Sequence, residues 1–230
     1  GEIGILSFNG NKIITTGEGG VVVTDNRDQW LRVSAYHDPV SISMGRNISA
    51  DEAPLFPGQN YRANEFIGAL GSVQLKRLDP LVEKMRKNKE HILKGIGKSE
   101  SLKLRKINSQ ESDTATNITF TLPTVEQATW FSQALTAENV KARVLFYREK
   151  LDYHIYYHWN QILGKHSMTD KKYPWAKQFN SGRVKYNQNM CPKSLDLLSR
   201  SVLIDISPQL TTKELREIVQ AILKVKNHLK

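Results

Sequence analysis

Cysteine is almost absent: Cys191 is the only one in 230 residues. No internal disulfide can staple the chain, which fits a reducing cytoplasm. Standing beside Pro192, Cys191 reads as a small residue at a helix start rather than as a nucleophile. Long apolar runs are missing as well. No stretch reaches the roughly 20 residues that a bilayer span requires, and no secretory signal pattern stands at Gly1. The expectation is a cytoplasmic protein with no membrane partner. Internal repeats and low-complexity tracts are also lacking. Acidic residues are outnumbered, 23 against 33 lysines and arginines, for a formal net charge of +10.

That excess would suit an acidic partner such as nucleic acid. The placement of the charges argues otherwise. Basic residues are spread along segments such as Lys76 to Lys98, where Leu78, Leu81, Val82, Met85 and Ile92 alternate with them, so they describe a solvated helix face. Aromatic residues are not interleaved with them as a base-stacking platform would need. No nucleic-acid partner is expected. With 39% hydrophobic residues the chain can bury a real core, as one large or two small domains.

The most informative stretch is SFNGNKIITTGEGG, Ser7 to Gly20. The run Ile3 to Leu6 leads in. Ile13, Ile14 and then Val21 to Val23 lead away through Gly17, Gly19 and Gly20, which reads as two short buried strands around a tight turn. The glycines serve backbone geometry, by positive φ or close approach. Lys12 stands between strand and turn, and an amine held against such a core is poorly solvated. Desolvation disfavours charged lysine, and a neutral amine is the form that attacks an aldehyde.

This stretch resembles the lysine motif of the DegT/DnrJ/EryC1/StrS family of sugar aminotransferases. A second block, GQNYRANEFIGALGSVQLKRLD from Gly58 to Asp79, is similar to the family's second signature, and CPKSLDLLSRSVLIDISPQLTTKELREIV matches more weakly. The resemblance implies an α/β protein of the PLP-dependent transferase fold (aspartate aminotransferase-like, fold type I). It also implies that this chain is the C-terminal portion, a partial large domain followed by a small α/β domain. Its implied activity is transfer of an amino group from glutamate or glutamine to a keto-sugar, commonly nucleotide-linked, by a ping-pong Schiff-base mechanism on pyridoxal phosphate.

Residue by residue, the resemblance makes Lys12 the catalytic residue that holds the cofactor. Ser7 becomes a cofactor-phosphate contact. Asn60 becomes the residue that reaches the neighbouring subunit's cofactor across a homodimer with shared sites. Tyr61, Arg62 and His154 are its candidates for substrate contact. His37 stands where family members show histidine followed by glycine, but here Asp38 and Pro39 follow, so no role is carried over to it. The alternatives are a fold relative without transaminase activity, regulatory or interacting, and a sugar dehydratase in which histidine replaces the lysine. The presence of Lys12 counts against the dehydratase.

The chain divides near Lys98 to Asn108 into a part of the large cofactor domain, residues 1–98, and a small domain, residues 99–230. A helix is expected around Asp25 to Tyr36, an irregular loop from His37 to Gln59, and helices from Ala63 onward. Strands follow at Thr116 to Leu122, Val140 to Phe146 and Val202 to Ile206. Thr124 with Gln127 and Thr211 with Glu214 open helices. The last helix carries Leu215, Ile218, Val219, Ile222, Val225 and Leu229 at helical spacing, suited to packing on the small sheet. Loops Met44 to Gln59 and Gly164 to Asn189 are candidates for substrate selectivity. The spacing of His154 and His158 would place both on one helix face and invites a metal, against an aromatic packing face as the plainer reading. No metal is expected.

Overall fold

A computed structural model describes residues 1–39, 57–169, 173–176 and 185–229. Readings that fall on residues 40–56, most of the first long loop, and on 170–172 and 177–184 lie outside the described residues. The chain forms two compact units, Gly1–Leu81 and Val82–Lys230. The sequence reading divides it later, at 98, and the intervening stretch is most of one helix.

In the first unit, β1 (Gly4–Ser7) and β2 (Gly20–Val23) pair antiparallel, with Gly4 opposite Val23 and Ser7 opposite Gly20. Helix α1 (Arg27–His37) opens on Asn26, whose side chain accepts from the Gln29 N–H, and buries Leu31 and Ala35. Helix α2 (Glu65–Lys76) is capped the same way by Asn64 on Ile67. Such caps satisfy N–H groups that the first turn leaves unpaired. The expected burial of the hairpin is not found. Ile5 is 80% exposed, and Leu6, Val22 and Val23 are exposed too. Side chains alternate across a two-stranded ribbon, and the described residues do not cover both of its faces. Ile13 and Ile14 form no strand; they lie half-buried in the loop between β1 and β2.

Helix α3 (Leu78–Ile96) begins in the first unit and buries Met85, Ile92 and Ile96 in the second. The solvated basic face read from its sequence holds for Lys84, Lys87 and Lys94, but Lys89 and Asn88 are buried. The second unit is built on a four-stranded antiparallel sheet ordered β3-β4-β6-β5. Its strands are β3 (Lys103–Leu104), β4 (Asn117–Thr121), β5 (Ala142–Val144) and β6 (Ser201–Asp205). β5 is shorter than the expected Val140 to Phe146.

Register aligns two rows across three strands, Ile118–Ile204–Ala142 and Phe120–Val202–Val144. Residues directly opposite share a face, so these rows form one apolar surface. Helix α4 (Val125–Ala137) packs on β5 and β6. Phe131 meets Phe120 edge-on, with ring centres 6.1 Å apart, a geometry that contributes about 1 kcal/mol beyond area burial.

Thr124 caps α4 by accepting from the Gln127 N–H. At its far end Asn139 adopts φ 63°, Asn139 N–H bonds Thr136 O and Val140 N–H bonds Leu135 O. That pair of bonds closes a helix with a left-handed residue. Between β5 and β6 lie a single 3-10 turn (Tyr156–His158), the short α5 (Asn160–Leu163) and α6 (Pro192–Ser199). Cys191 is the N-cap residue of α6, exposed, with Pro192 as the first helical residue.

The last helix, α7 (Thr212–Asn227), starts on a complete capping box. Glu214 N–H donates to Thr211 Oγ1, and Thr211 N–H donates to Glu214 Oε2 at 2.7 Å. It packs against α4 and buries Leu215, Ile222 and Val225. Its Val219 side chain lies against Gly95 of α3, where an added Cβ would meet a valine methyl at 2.7 Å.

Candidate active site

Ser7 ends β1, and the chain from Phe8 to Gly19 loops out and returns to β2. Backbone bonds lace the loop at its base: Phe8 N–H to Gly19 O and Thr16 N–H to Phe8 O, both 2.9 Å. Side chains tighten it further. Thr15 Oγ1 donates to Phe8 O and accepts from Gly17 N–H, and Thr16 Oγ1 donates to Glu18 O. Gly17 at φ 84° and Gly19 at φ 155° make the turn possible. A Cβ on Gly19 would lie 2.6 Å from Thr16 Oγ1 and 3.5 Å from Ile67 of α2, so the loop is seated against that helix.

Lys12 occupies the outer part of this loop, its N–H bonded to Asn9 O at 3.0 Å. It is exposed. The poorly solvated amine expected from the flanking apolar residues is not found: those residues are half-buried or exposed, and no layer among the described residues covers the loop. Asn9, which the sequence reading passed over, organises the turn. Its Oδ1 accepts from Asn11 N–H, its Nδ2 donates to Glu18 Oε1, and it bridges to Gly17. An Asx residue three positions before the lysine is the signal that could have found it.

Ser7 Oγ accepts from Asn9 N–H at 3.3 Å, which leaves its own hydrogen able to donate to an anionic oxygen. Asn60, Tyr61 and Arg62 belong to the same unit and are tied to the end of α1. Gln59 N–H bonds Tyr36 O at 2.7 Å and Tyr61 N–H bonds His37 O at 3.0 Å. The Tyr36 and Tyr61 rings lie 6.1 Å apart. Gly58 is required there, since a Cβ would meet the Ala35 and Tyr36 carbonyl oxygens at 2.7 Å. His37 contributes its carbonyl to this tether and is itself exposed. Asn60 is exposed and its Oδ1 accepts from Arg62 N–H and Nε–H. An amine nucleophile on the loop with a hydroxyl donor at the end of β1 suits an aldehyde that carries a phosphate.

His154 and His158 belong to the second unit and do not share a helix face. His154 lies in a turn before the 3-10 segment, with its side chain 95% exposed and Nδ1 2.8 Å from Asp152 Oδ1. The His154 main-chain N–H first, and its ring second, hold the Asp152 carboxyl below the ordinary aspartate range. His158 is buried against Phe146 and Tyr157. Its Nε2 bonds Arg148 O and its Nδ1 accepts from Asp152 N–H, so both nitrogens serve the fold, as in the aromatic packing reading. No group of three or more metal-binding side chains occurs among the described residues. None of the described helices is long and apolar enough to cross a membrane.

Residues 1–174 match the profile of the DegT/DnrJ/EryC1/StrS aminotransferase family. The GDP-perosamine synthase of Escherichia coli O157:H7 is 27% identical over 147 residues, 64% of this chain and 38% of that protein. The UDP-4-amino-4,6-dideoxy-N-acetyl-beta-L-altrosamine transaminase of Campylobacter jejuni is 39% identical over 83 residues, 36% of this chain and 21% of that protein. Among solved structures, an aminotransferase from Psychrobacter cryohalolentis superposes with a TM-score of 0.69 at 22% identity, over 100% of this chain and 57% of that one. The aminotransferase TlmJ from Streptoalloteichus hindustanus gives 0.66 at 14% identity, over 100% and 53%. The chain thus spans about half the length of these solved relatives and less of the curated ones. At such identities the structural likeness shows the fold, a mixed α/β arrangement corresponding to about half of the fold-type-I architecture of PLP-dependent sugar aminotransferases. The chain belongs to the DegT/DnrJ/EryC1/StrS family of PLP-dependent aminotransferases.

Proposed function

We propose that the whole protein moves an amino group from an amino-acid donor, glutamate or glutamine, to a keto-sugar linked to a nucleotide, with Lys12 as the residue that binds pyridoxal phosphate. The observation that carries this reading is the lysine loop itself. An exposed amine stands on a turn laced at its base by Phe8, Thr16 and Gly19, so the amine reaches outward from a fixed anchor. Relatives named for GDP- and UDP-linked amino sugars support the substrate class.

When bound, pyridoxal phosphate supplies the electron sink that lets a Cα–H bond break and re-form. Lys12 Nζ would hold the cofactor between turnovers and, once displaced by the donor amine, would carry the proton from the donor Cα to the C4′ carbon of the cofactor, and in the opposite direction when the keto-sugar is aminated. Ser7 Oγ–H and Asn60 Nδ2–H donate to phosphate oxygens, Asn60 to the cofactor of a partner subunit in a homodimer. Tyr61, Arg62 and His154 are proposed to meet substrate. The division into a large-domain portion up to residue 98 and a small domain from 99 belongs to the same reading.

Incubating the whole protein with pyridoxal phosphate, reducing with borohydride and mapping peptides by mass tests it. The expected adduct is on Lys12 and is lost in Lys12→Ala, with glutamate-dependent amino transfer lost alongside it. An adduct that persists elsewhere in Lys12→Ala with full transfer activity would overturn the assignment.

A further inference from the structure

Asp38 directly follows the last residue of α1, and the fold gives it a definite place. It terminates α1, its N–H bonding Ser34 O at 3.0 Å, and it is buried at 6% exposure. A buried carboxylate needs compensation, and Arg62 supplies part of it as an ion pair. Asp38 Oδ2 lies 3.7 Å from Nε of Arg62, whose side chain is half exposed. That Nε–H donates to Asn60 Oδ1 at 3.2 Å, and the Arg62 main-chain N–H donates to the same oxygen at 3.3 Å. Two donors on one atom of an amide identify it as the oxygen. The Asn60 NH2 group therefore projects away from Arg62, on an exposed residue.

We propose that Asp38, Arg62 and Asn60 form a positioning relay, in which Asp38 anchors the guanidinium and the guanidinium presets the Asn60 Nδ2 hydrogens as donors to a phosphate oxygen. The proposal rests on the phosphate role given to Asn60 above and adds the residues that orient it. An unrestrained asparagine amide rotates and offers either end; held by its oxygen, it offers only donors. In this role Arg62 acts through Asn60 with its Nε–H, which leaves its terminal nitrogens for the substrate contact proposed above, and lysine cannot replace it, because an ammonium has no Nε–H directed along the side chain.

The test follows the Asn60 side-chain amide by NMR in the 15N-labelled whole protein, with inorganic phosphate as the probe. Order parameters above about 0.8 are expected for Asn60 Nδ2, falling below about 0.6 in Arg62→Lys and in Asp38→Asn. Asp38→Glu, which keeps the charge, should restore much of the order. Main-chain amide signals of α1 verify that each variant is folded. An Asn60 amide as mobile in the unsubstituted chain as in Arg62→Lys would overturn the relay, and order unchanged in Asp38→Asn would remove Asp38 from it. Phosphate should shift the Asn60 Nδ2 signal at concentrations at least threefold lower in the unsubstituted chain than in either loosened variant. An ordered amide that ignores phosphate keeps the relay and defeats the cofactor reading.

Discussion

Lys89 Nζ lies 2.7 Å from Asp113 Oδ2, with the lysine side chain 9% exposed and the carboxylate 18%. Arg86 reinforces the latch by donating through Nε to Asp113 O at 2.7 Å and through its guanidinium to Glu111 O. Burial works to raise the Asp113 carboxyl, but the Lys89 hydrogen bond, the Ala115 N–H and the charges of Lys89 and Arg105 together hold it below its ordinary value of 3.8. A carboxyl depressed in the folded state stabilises above its unfolded pKa and loses that contribution as pH falls through the folded value. The stability difference between the native chain and Asp113→Asn should therefore be constant above about pH 5 and shrink progressively below about pH 4, as read by urea melts of the second unit. Lys89→Met should cost on the order of 3 kcal/mol at neutral pH by leaving the carboxylate without its partner. A difference independent of pH from 7 to below about 3 would contradict this account.

Gly19→Ala should disturb the lysine loop while sparing the second unit. Its φ of 155° and the 2.6 Å approach of an added Cβ to Thr16 Oγ1 leave no room for a side chain. The expected result is at least a tenfold loss of borohydride-fixed cofactor on Lys12 in the whole protein, since small displacements of a reacting group carry penalties of about that size or more. Undiminished labelling would mean that the turn tolerates a second conformation.

Gly95→Ala sets helix propensity against packing. Alanine is favoured over glycine inside a helix by about 1 kcal/mol, but its Cβ would sit 2.7 Å and 2.8 Å from the two Val219 methyls. Overpacking of this kind costs about 1–3 kcal/mol, so net destabilisation is expected in thermal melts. The double change Gly95→Ala with Val219→Ala should recover part of the loss, and purely additive effects would count against direct contact.

Asn139 closes α4 in a left-handed conformation. Asn139→Gly should be neutral or slightly stabilising, whereas Asn139→Val should cost about 1–2 kcal/mol, the penalty of that region for a residue with a branched Cβ. Equal melting temperatures for the two variants would refute the left-handed assignment.

Proteolysis should distinguish the two units. The second holds Phe120, Phe131, Ile92 and Ile222 at 0% exposure, while in the first the hairpin valines and Phe66, Val73 and Leu75 of α2 stand exposed. Local opening is easiest where few apolar contacts resist it. Brief digestion of the 230-residue chain should cut within residues 1–81 before it cuts the sheet of the second unit, as followed by mass spectrometry.

These contrasts also mark what the amino-acid pattern could reveal. Ile118 and Phe120 alternate with polar neighbours, and Thr124 and Thr211 precede helices with Gln127 and Glu214 in place, so β4, α4 and α7 were legible from local chemistry alone. The glycines of the lysine loop were legible for the same reason, because positive φ is a property of the residue itself. Burial was not. Whether Val22 or Lys12 is covered depends on what lies above the sheet, and Lys89 looked like its solvated neighbours until Asp113 arrived from 24 residues away. His154 and His158 were misplaced on one helix face because a helical period was applied across a turn. Arg62 was read as a substrate contact; its link to Asp38 comes from tertiary geometry that the Gly58 to Asp79 block does not contain.

The pairing of β4 with β6 sets Asn117 opposite Asp205, and β6 separates β4 from β5 in the sheet although it is the last strand made. On the ribosome, β4, α4 and β5 emerge with no central strand to join them. Contacts so distant along the chain form slowly and only after costly loop closure. The facing edges of β4 and β5 must therefore wait, unpaired, for β6. During synthesis that interval is the chain's period of greatest exposure to aggregation and to chaperones, and a stop codon placed before Ser201 would prolong it indefinitely.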